Sequence, residues 1–337
     1  MQKTTITDIA KELNLTPSTV SRALAGSSRV KEKTRVVIEE KAREMGYERN
    51  LMASNLRRGV ANAVGIIVPR INRQFFSNVI SGAESVLNEA GYTVLICQTH
   101  EKLEDEKKAL STLLRNQVAG ILISHSIETS EENHIAQAVT GDVRLVQFDR
   151  VFYDLPDAKV VNDNYQGAYQ ATSHLIRQGY KRIGTLAGYM TSEAYKERLE
   201  GYKQALRDAG MEIDDSIIFK DTIVKETGYS QGMIALERGC DALYSAGDFS
   251  ALGAVEAAKE KGLSVPEEFG IVGTANENFT EIMSPTLSSL ELSPNRMGRL
   301  AAEAFLRPCT EENEIVTLKM ELKTRESSQR LSKINTK

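Results

Sequence analysis

From residue 61 onward, short apolar runs alternate with segments of helical periodicity, and this alternation constrains the fold more than any other feature of the sequence. The runs include VGIIVP, YTVLIC, GILISH and VRLVQFD, and later RIGTLAG, DALYSAG and FGIVGT. Continuous apolar strands separated by helices are typical of parallel sheets with helices on both faces. About ten strands are too many for one ordinary open sheet, so we expect two α/β lobes in residues 61–337.

Residues 1–48 carry almost no strand signal and fit a helix-turn-helix over residues 6–25. A small residue is needed where the two helices cross, and Ala10 provides it. Asn14 suits a turn with positive φ, and Thr16 can cap a second helix that begins at Pro17. The helices would share a core formed by Ile9, Leu13, Leu15, Val20 and Ala23.

The second helix of this pair would turn short polar groups and one long cation outward. These residues are Pro17, Ser18, Ser21 and Arg22. Such a face suits the reading of base edges in the major groove of DNA. A helical hairpin with a solvated surface is the alternative, and the full set of positions favours DNA binding.

A third helix is predicted in KEKTRVVIEEKAREMGY, which Gly46 would end as a C-cap. Its apolar positions lie mostly on one face of the predicted helix. They are Val36, Val37, Ile38, Ala42 and Met45.

The charge distribution supports a polyanionic partner for the first segment. Residues 1–60 hold 12 lysines and arginines against 7 acidic residues, whereas the rest of the chain holds 30 against 39. A basic head on an acidic body is the asymmetry expected of a nucleic-acid-binding segment attached to another domain.

The segments TDIAKELNLTPSTVSRAL and VKEKTRVVIEEKAREMGYERN resemble the head of the lactose-repressor (LacI/GalR) family of bacterial transcription regulators. The resemblance continues through NLMASNLRR, VNDNYQGAYQATSHLIRQGYKRI and SPTLSSLELSPNRMG. It implies a homodimer with a helical head, a hinge helix and a two-lobed core like that of sugar-binding periplasmic proteins. The expected parts are a head at 1–48, a hinge at 49–60, a first lobe at 61–161 and 292–323, and a second lobe at 162–291 and 324–337.

The resemblance also implies how DNA is held. The hinge would fold on DNA beside that of the partner subunit, with Leu56 wedged into the minor groove and Ala53 allowing close approach. An apolar wedge unstacks bases and bends the duplex, and the site would be a near-palindromic operator. The expected DNA-binding residues are Thr7, Thr16, Pro17, Ser18, Thr19, Ser21, Arg22, Ala53, Leu56 and Arg57.

The core is expected to bind a small effector, a sugar, beyond the carboxyl ends of its strands. Carboxylates and an arginine suit hydroxyl-rich ligands, and aromatic rings suit the flat face of a sugar or base. Phe75 and Phe76 suit the lobe core equally well. The family usually has an aspartate where this chain has Ala275, and Asn276, Glu277 or Phe279 would take over part of its role. The expected effector-binding residues are Phe75, Phe76, Asp149, Arg198, Asp248 and Asn276.

Two other functions, a serine hydrolase and a periplasmic-type binding protein, fit parts of the sequence. GYSQG at 228–232 fits the GxSxG pattern of serine hydrolases, but all four histidines precede Ser230, the reverse of the usual order. A binding protein of the periplasmic type suits the core but not the head or the missing signal peptide. We expect a cytosolic regulator that is not an enzyme and that has no cofactor, metal site or membrane span.

The cysteines fit a reducing compartment. Cys97, Cys240 and Cys309 are far apart and form no CxxC pair. An odd number of scattered cysteines does not indicate a disulfide framework. A cytosolic location is therefore consistent with cysteine usage.

Overall fold

The computed structural model describes residues 4–24, 29–47, 61–138, 143–307 and 314–330. The expected hinge residues Ala53, Leu56 and Arg57 lie outside these ranges. The chain divides into two compact units, residues 1–59 and residues 60–337.

The described part of the first unit consists of helices α1 (Ile6–Glu12), α2 (Pro17–Leu24) and α3 (Glu32–Glu44). A capping box begins α1: Asp8 donates its backbone N–H to the Thr5 hydroxyl, and its carboxylate accepts the Thr5 N–H. Asn14 has φ of +52°, as the turn predicted there requires. The three helices enclose a small core formed by Ile9, Ala10, Val20, Ala23, Val30, Ile38 and Ala42.

The predicted apolar face of α3 is partly wrong. Ile38 and Ala42 are buried and Met45 packs against them, but Val36 and Val37 are 44% and 51% exposed. Consecutive residues of an α-helix lie about 100° apart, so 36, 37 and 38 cannot all face one core. Gly46 ends the helix region with φ of +61°, as predicted.

The second unit contains two sheets, and each has helices packed against it. The first sheet is wholly parallel, with strand order β11-β5-β4-β3-β1-β2. Its described strands are β1 (Ala61–Val68), β2 (Thr93–Gln98), β3 (Val118–Ile123), β4 (Arg144–Phe148), β5 (Ala158–Asn162) and β11 (Ile315–Leu318). Its helices are α4 (Gln74–Glu89), α5 (Leu103–Arg115), α6 (Asn133–Ala138) and α11 (Pro294–Leu306).

The second sheet has strand order β12-β10-β9-β8-β6-β7, parallel except for the β10–β12 pair. Its described strands are β6 (Ile183–Leu186), β7 (Ile218–Phe219), β8 (Ala242–Ser245), β9 (Gly270–Thr274), β10 (Ser288–Glu291) and β12 (Glu321–Lys323). Its α-helices are α7 (Asn164–Arg177), α8 (Glu193–Asp208), α9 (Lys225–Glu237) and α10 (Asp248–Glu260), with short 3-10 helices at Asp215–Ile217 and Asn278–Glu281.

The chain passes between the two sheets three times: after β5, after β10, and between β11 and β12. The third passage corrects an expectation. Residues 321–323 were assigned to the first lobe, but β12 pairs with β10 of the second sheet through Ser289 and Lys323. Residues 321–323 are therefore an edge strand of the second lobe.

The predicted fold class is confirmed: a helical head precedes a two-lobed core of parallel sheets. Because each sheet is doubly wound, the carboxyl ends of its strands form one edge, where ligands bind in such folds. Asp149 directly follows β4, and Asp248 begins α10 after β8. The fold thus gathers polar groups from both lobes at these edges.

Candidate DNA-binding face and effector cavity

The outer face of α2 carries the side chains that the sequence assigned to base reading. Thr7, Thr16, Pro17, Ser18 and Arg22 are exposed, and Thr19 and Ser21 are half-buried. Val20 and Ala23 of the same helix are fully buried in the head core. The helix therefore has one buried face and one polar face, as a recognition helix requires.

The hydroxyl groups at the start of α2 are hydrogen-bonded to one another. The Thr16 hydroxyl lies 2.8 Å from that of Thr19 and 3.0 Å from that of Ser18. The Thr19 N–H donates to the Thr16 hydroxyl at 3.3 Å, so Thr16 caps the helix as predicted. Arg22, in contrast, makes no hydrogen bond or ion pair with any other described residue. Its five donors are available to a partner.

In the second unit, a cavity of about 390 Å³ lies between the two lobes at the carboxyl ends of their strands. This volume is at the lower end of the range of ligand pockets in proteins. Five of the six predicted effector-binding residues line it: Phe75, Phe76, Asp149, Arg198 and Asp248.

Asp149 reaches the cavity from the first lobe. It follows β4 with φ of +60°, a conformation that costs energy for a residue other than glycine. Among the described residues, the partners of its carboxylate are distant: the Ser124 hydroxyl at 3.4 Å and the Arg150 Nε at 3.9 Å. Burial raises the pKa of Asp149, while the positive charges of Arg150 and Arg198 oppose that rise. A buried carboxylate with such weak contacts can accept hydrogen bonds from a ligand.

Arg198 enters from the second lobe, on α8. Its Nε donates to the Asn164 side-chain oxygen at 2.9 Å, and its Nη1 donates to the carbonyl of Ala246 at 3.0 Å. Although it is 5% exposed, no described carboxylate lies within ion-pair distance of it. Its guanidinium lies 5.3 Å from the centre of the Tyr195 ring. The remaining nitrogen, Nη2, has no partner among the described residues.

Phe75 and Phe76 lie both in the lobe core and in the cavity lining. They are 8% and 5% exposed and belong to the main core cluster, yet both also line the cavity. Their rings meet edge to face with centres 5.1 Å apart. Their positions are therefore compatible both with packing in the lobe core and with contact to a ligand.

Asp248 lines the cavity, but both of its carboxylate oxygens already accept hydrogen bonds within the protein. The Ser289 hydroxyl donates to Oδ1 at 2.6 Å, and the Glu277 N–H donates to Oδ2 at 2.8 Å. Burial raises its pKa to about 7, although both hydrogen bonds favour the charged form. Asp248 therefore ties α10 to the loop after β9, and both of its carboxylate oxygens are engaged within the protein.

Asn276 is not in the cavity lining, which corrects the expectation for this residue. Its side-chain nitrogen donates to Glu291 at 2.9 Å, and its oxygen accepts from Arg325 at 2.9 Å. Both partners lie within the second lobe and compete with any ligand. Ala275 and Glu277 line the cavity in its place, and Phe279 packs against Phe249 with ring centres 5.0 Å apart.

Several cavity residues were missed by sequence reasoning. Arg150 follows Asp149 directly, and Tyr195 lies one helical turn before Arg198, so both could have been found from those neighbours. Nothing in the sequence marks the others as ligand-facing. The missed residues that line the cavity include Arg73, Glu101, Arg150, Tyr189, Tyr195 and Phe249.

Direct contacts between the lobes lie beside the cavity. The Arg73 guanidinium lies 3.8 Å from the centre of the Phe249 ring. The Gln74 side chain donates to the Asn278 side chain at 2.7 Å and accepts the Asn278 N–H at 2.7 Å. The Thr191 hydroxyl donates to the carbonyl of Ile127 at 2.8 Å. The lobes can therefore touch around the space that a ligand would fill.

The GYSQG segment lies in α9, away from any catalytic arrangement. The Ser230 hydroxyl donates to the carbonyl of Thr227 at 3.1 Å, and no described histidine contacts it. A Cβ on Gly228 would lie 2.2 Å from the carbonyl oxygen of Ser250, so this glycine permits close packing of α9 on α10. Helix packing explains the motif without a nucleophile.

Neither a metal site nor a membrane-spanning helix is present among the described residues. No group of three or more histidine, cysteine, aspartate or glutamate side chains is placed to hold a metal ion there. None of the described helices is both long and apolar enough to cross a membrane.

The carboxyl of Asp248 makes the stability of the core depend on pH. Its pKa rises from 3.8 to about 7 on folding, so the folded state holds its proton more tightly. The stability from this group is complete below about pH 4 and is lost as the pH rises through about 7. Asp248→Asn keeps an acceptor for the Glu277 N–H and removes the titration.

We expect the free energy of unfolding of the wild type, relative to Asp248→Asn, to fall by on the order of 2 kcal/mol between about pH 5 and pH 8. Urea unfolding of both proteins across this range measures the difference. Because Asp149 and Glu277 also have raised pKa values, only the difference between the two proteins reports on Asp248. Parallel curves would contradict the assignment.

Comparison with known proteins matches both units. The family described as periplasmic binding proteins and sugar binding domain of the LacI family matches residues 61–326, and that described as bacterial regulatory proteins, lacI family, matches residues 5–50. The HTH-type transcriptional repressor CytR of Escherichia coli K12 is 32% identical over 304 residues, which cover 88% of this chain and 87% of CytR.

Solved structures of transcription regulators are also similar to this chain over nearly its whole length. The structure of the transcriptional regulator CelR in complex with cellobiose has a TM-score of 0.72 and 26% identity, covering 96% of this chain and 100% of that one. The lac repressor dimer bound to operator and the anti-inducer ONPF has a TM-score of 0.85 and 23% identity, covering 97% and 99%. The second likeness is one of fold.

Proposed function

Since the chain belongs to the LacI family of bacterial regulatory proteins, which are DNA-binding transcription regulators with a ligand-binding core, we propose that a small sugar bound between the lobes sets its affinity for operator DNA. The observation that carries this proposal is the meeting of Asp149 and Arg198 from opposite lobes in one cavity. A ligand that bridges them favours one lobe arrangement over others. Acting on DNA, the protein works in the cytoplasm.

The charges around the cavity favour an uncharged ligand. The cavity lining holds as many carboxylates as lysine and arginine side chains: Glu101, Glu128, Asp149, Asp248 and Glu277 against Arg70, Arg73, Lys102, Arg150 and Arg198. A charged ligand would upset this balance in a partly buried site, where unpaired charge is costly. A sugar offers neutral hydroxyl groups that both donate to Asp149 and accept from Arg198.

Aromatic side chains supply the second half of sugar recognition. Phe75, Phe76, Tyr189, Tyr195 and Phe249 line the same cavity. Their rings offer apolar surface to the C–H face of a pyranose, while hydroxyl groups at its edge meet the charged groups. The volume of 390 Å³ equals that of about 13 liquid waters, which suits a monosaccharide or a disaccharide.

Thermal unfolding in the presence of neutral carbohydrates tests this function. Cellobiose is the first probe because the CelR structure contains it, and monosaccharides and sugar phosphates complete the panel. A ligand at 100 times its dissociation constant should stabilise the folded protein by about 2.7 kcal/mol. Stabilisation by anionic compounds and by no neutral sugar would overturn the assignment to sugars.

On the DNA side, the polar face of α2 is proposed to enter the major groove, with Arg22 reading a base. In the hinge, Leu56 is proposed to act in the adjacent minor groove, with Ala53 allowing the two hinge segments to approach and Arg57 near phosphates. The exposure of Arg22 and the absence of any described partner for its guanidinium support its assignment. An arginine free to make two parallel hydrogen bonds is suited to guanine O6 and N7.

Arg22→Ala should weaken specific operator binding by about 1–3 kcal/mol and relax the preference at one base pair of each half-site. Fluorescence anisotropy with operator and with random DNA measures both affinities. Lys11→Ala, which removes an exposed cation from α1, is the control and should weaken both affinities equally or neither. An equal loss on both DNAs for Arg22→Ala would make Arg22 a phosphate contact instead.

A homodimer is proposed through the edge strand β2 of the first sheet. Leu95 and Ile96 are 38% and 50% exposed, and Ile71, whose N–H lies 3.4 Å from the Gln98 side chain, is 51% exposed. Successive residues of a strand point to opposite faces, so β2 is apolar and open on both sides. An exposed apolar edge of this kind needs a cover, and a second copy of the chain matches the two half-sites of an operator.

A further inference from the structure

Arg150 lies beside Asp149 at the base of the cavity but does not pair closely with it. The Arg150 Nε is 3.9 Å from the Asp149 carboxylate, which is too far for a hydrogen bond. Instead, the Arg150 Nη1 donates to one Glu101 oxygen at 2.7 Å, and its Nη2 donates to the other at 3.3 Å. Nη1 also donates to the carbonyl of His125 at 3.2 Å. Glu101 therefore holds this arginine in a two-pronged ion pair.

The backbone that presents Glu101 is held in an uncommon conformation. His100 and Glu101 follow β2 with φ of +54° and +67°, two consecutive left-handed residues that are not glycine. Such residues are costly and persist where surrounding contacts determine them. The Ile127 N–H supplies one such contact, donating to Glu101 at 3.0 Å. The Glu101 side chain is 14% exposed and the Arg150 side chain 9% exposed, so this pair is largely removed from water.

Without Glu101, Arg150 would lack a carboxylate in a buried site. A buried guanidinium that loses its partner seeks the nearest acceptor, and the nearest described carboxylate is Asp149. That pairing would occupy the Asp149 carboxylate, whose present contacts are long. The Glu101–Arg150 pair thus determines whether Asp149 is open to a ligand.

We infer that Glu101 is a positioning residue of the effector site: by holding Arg150 away from Asp149, it keeps the Asp149 carboxylate free to accept hydrogen bonds from the hydroxyl groups of a neutral ligand. The inference rests on the proposed function of the cavity. Glu101 need not touch the ligand for this role. This role accounts for the left-handed conformation of His100 and Glu101 after β2.

Glu101→Gln in the full-length protein tests the inference. The amide keeps one acceptor and the size of the side chain but removes the charge. In crystals of the ligand-free variant, Arg150 should turn to Asp149 and approach it to hydrogen-bond distance. By calorimetry, cellobiose should bind about 10- to 100-fold more weakly than to the wild type, the loss expected for a charged hydrogen-bond partner. Glu104→Gln, at an exposed carboxylate three residues from Glu101 that does not line the cavity, is the control and should change neither measurement.

Two further variants separate positioning from a general structural role. Glu101→Gln combined with Arg150→Met removes the competing cation and should restore much of the affinity for cellobiose. Glu101→Asp keeps the charge and should leave Asp149 free. An unchanged Arg150–Asp149 distance in Glu101→Gln, or no recovery in the double variant, would overturn the inference. If the wild type binds no carbohydrate, the proposed function fails, while the distance in the crystals still decides the role of Glu101.

Discussion

Replacing Arg198 with alanine should abolish the response of operator binding to the effector while leaving operator affinity without effector within about twofold of the wild type. Arg198 supplies the second-lobe half of the proposed bridge, and its Nη2 has no partner among the described residues. A ligand that no longer binds Arg198 cannot favour the closed lobes, and coupling is limited by differential affinity. Allosteric coupling between two sites typically amounts to about 1–3 kcal/mol, which would be about 5- to 150-fold in DNA affinity.

The measurement is an operator titration with and without the effector found by thermal unfolding, together with calorimetry of the effector alone. Effector affinity should fall by about 1.5–3 kcal/mol, the contribution of a hydrogen bond to a charged group. Arg207→Ala is a matched control on the same helix, because Arg207 is 48% exposed and pairs only with surface groups. A full response in Arg198→Ala, with unchanged effector affinity, would place the ligand elsewhere.

The loss of Arg198 also has a structural cost that the titrations must avoid. The Asn164 side chain and the carbonyl of Ala246 would lose their donors, and Asp149 would lose a nearby positive charge. Buried polar groups left without partners destabilise a protein by about 1–3 kcal/mol each. The titrations should therefore be made well below the unfolding temperature of the variant. Arg198→Lys keeps the positive charge but not the planar guanidinium with its several donors. This variant should lose less stability than Arg198→Ala but should still lose most of the effector response.

The sequence predicts the fold and the location of the site because both depend on strong and repeated signals. Continuous apolar strands indicate parallel sheets, and the ends of parallel strands converge whatever the side chains there. Asp149 and Asp248 were found on this ground. The turn at Asn14 was equally predictable, because few residues tolerate positive φ without cost.

Side-chain direction and competing partners were not predictable in the same way. Asn276 has the position of a ligand-binding residue, but Arg325 and Glu291, distant in sequence, take its hydrogen bonds. Val36 and Val37 are apolar but turn outward, because the helical period lets only part of an apolar run reach the core. No sequence pattern marks Glu101 as part of the site, because its ion pair with Arg150 is formed between two loops that are 49 residues apart. These outcomes depend on tertiary contacts rather than on local pattern.

Ile96→Glu should convert the protein to monomers and weaken operator binding by about 100-fold or more. A near-palindromic operator offers two half-sites, and a dimer gains from binding both heads at once by about 10²- to 10⁴-fold. A glutamate at the centre of β2 would have to be buried opposite its counterpart if two copies paired along this edge, where like charges repel. The side chain is 50% exposed in the single chain, so the fold of each subunit should be little affected.

Ile315→Glu provides the matched control, because β11 is the opposite edge of the same sheet and Ile315 is 47% exposed. Both variants introduce the same charge at an apolar edge position of similar exposure. Sedimentation velocity and anisotropy with a full operator and a single half-site distinguish them. If β2 is the dimer edge, Ile96→Glu alone becomes monomeric and loses the advantage of the full operator over the half-site. A dimeric Ile96→Glu, or a monomeric Ile315→Glu, would move the interface away from β2, because an exposed apolar strand is covered only where a partner lies on it.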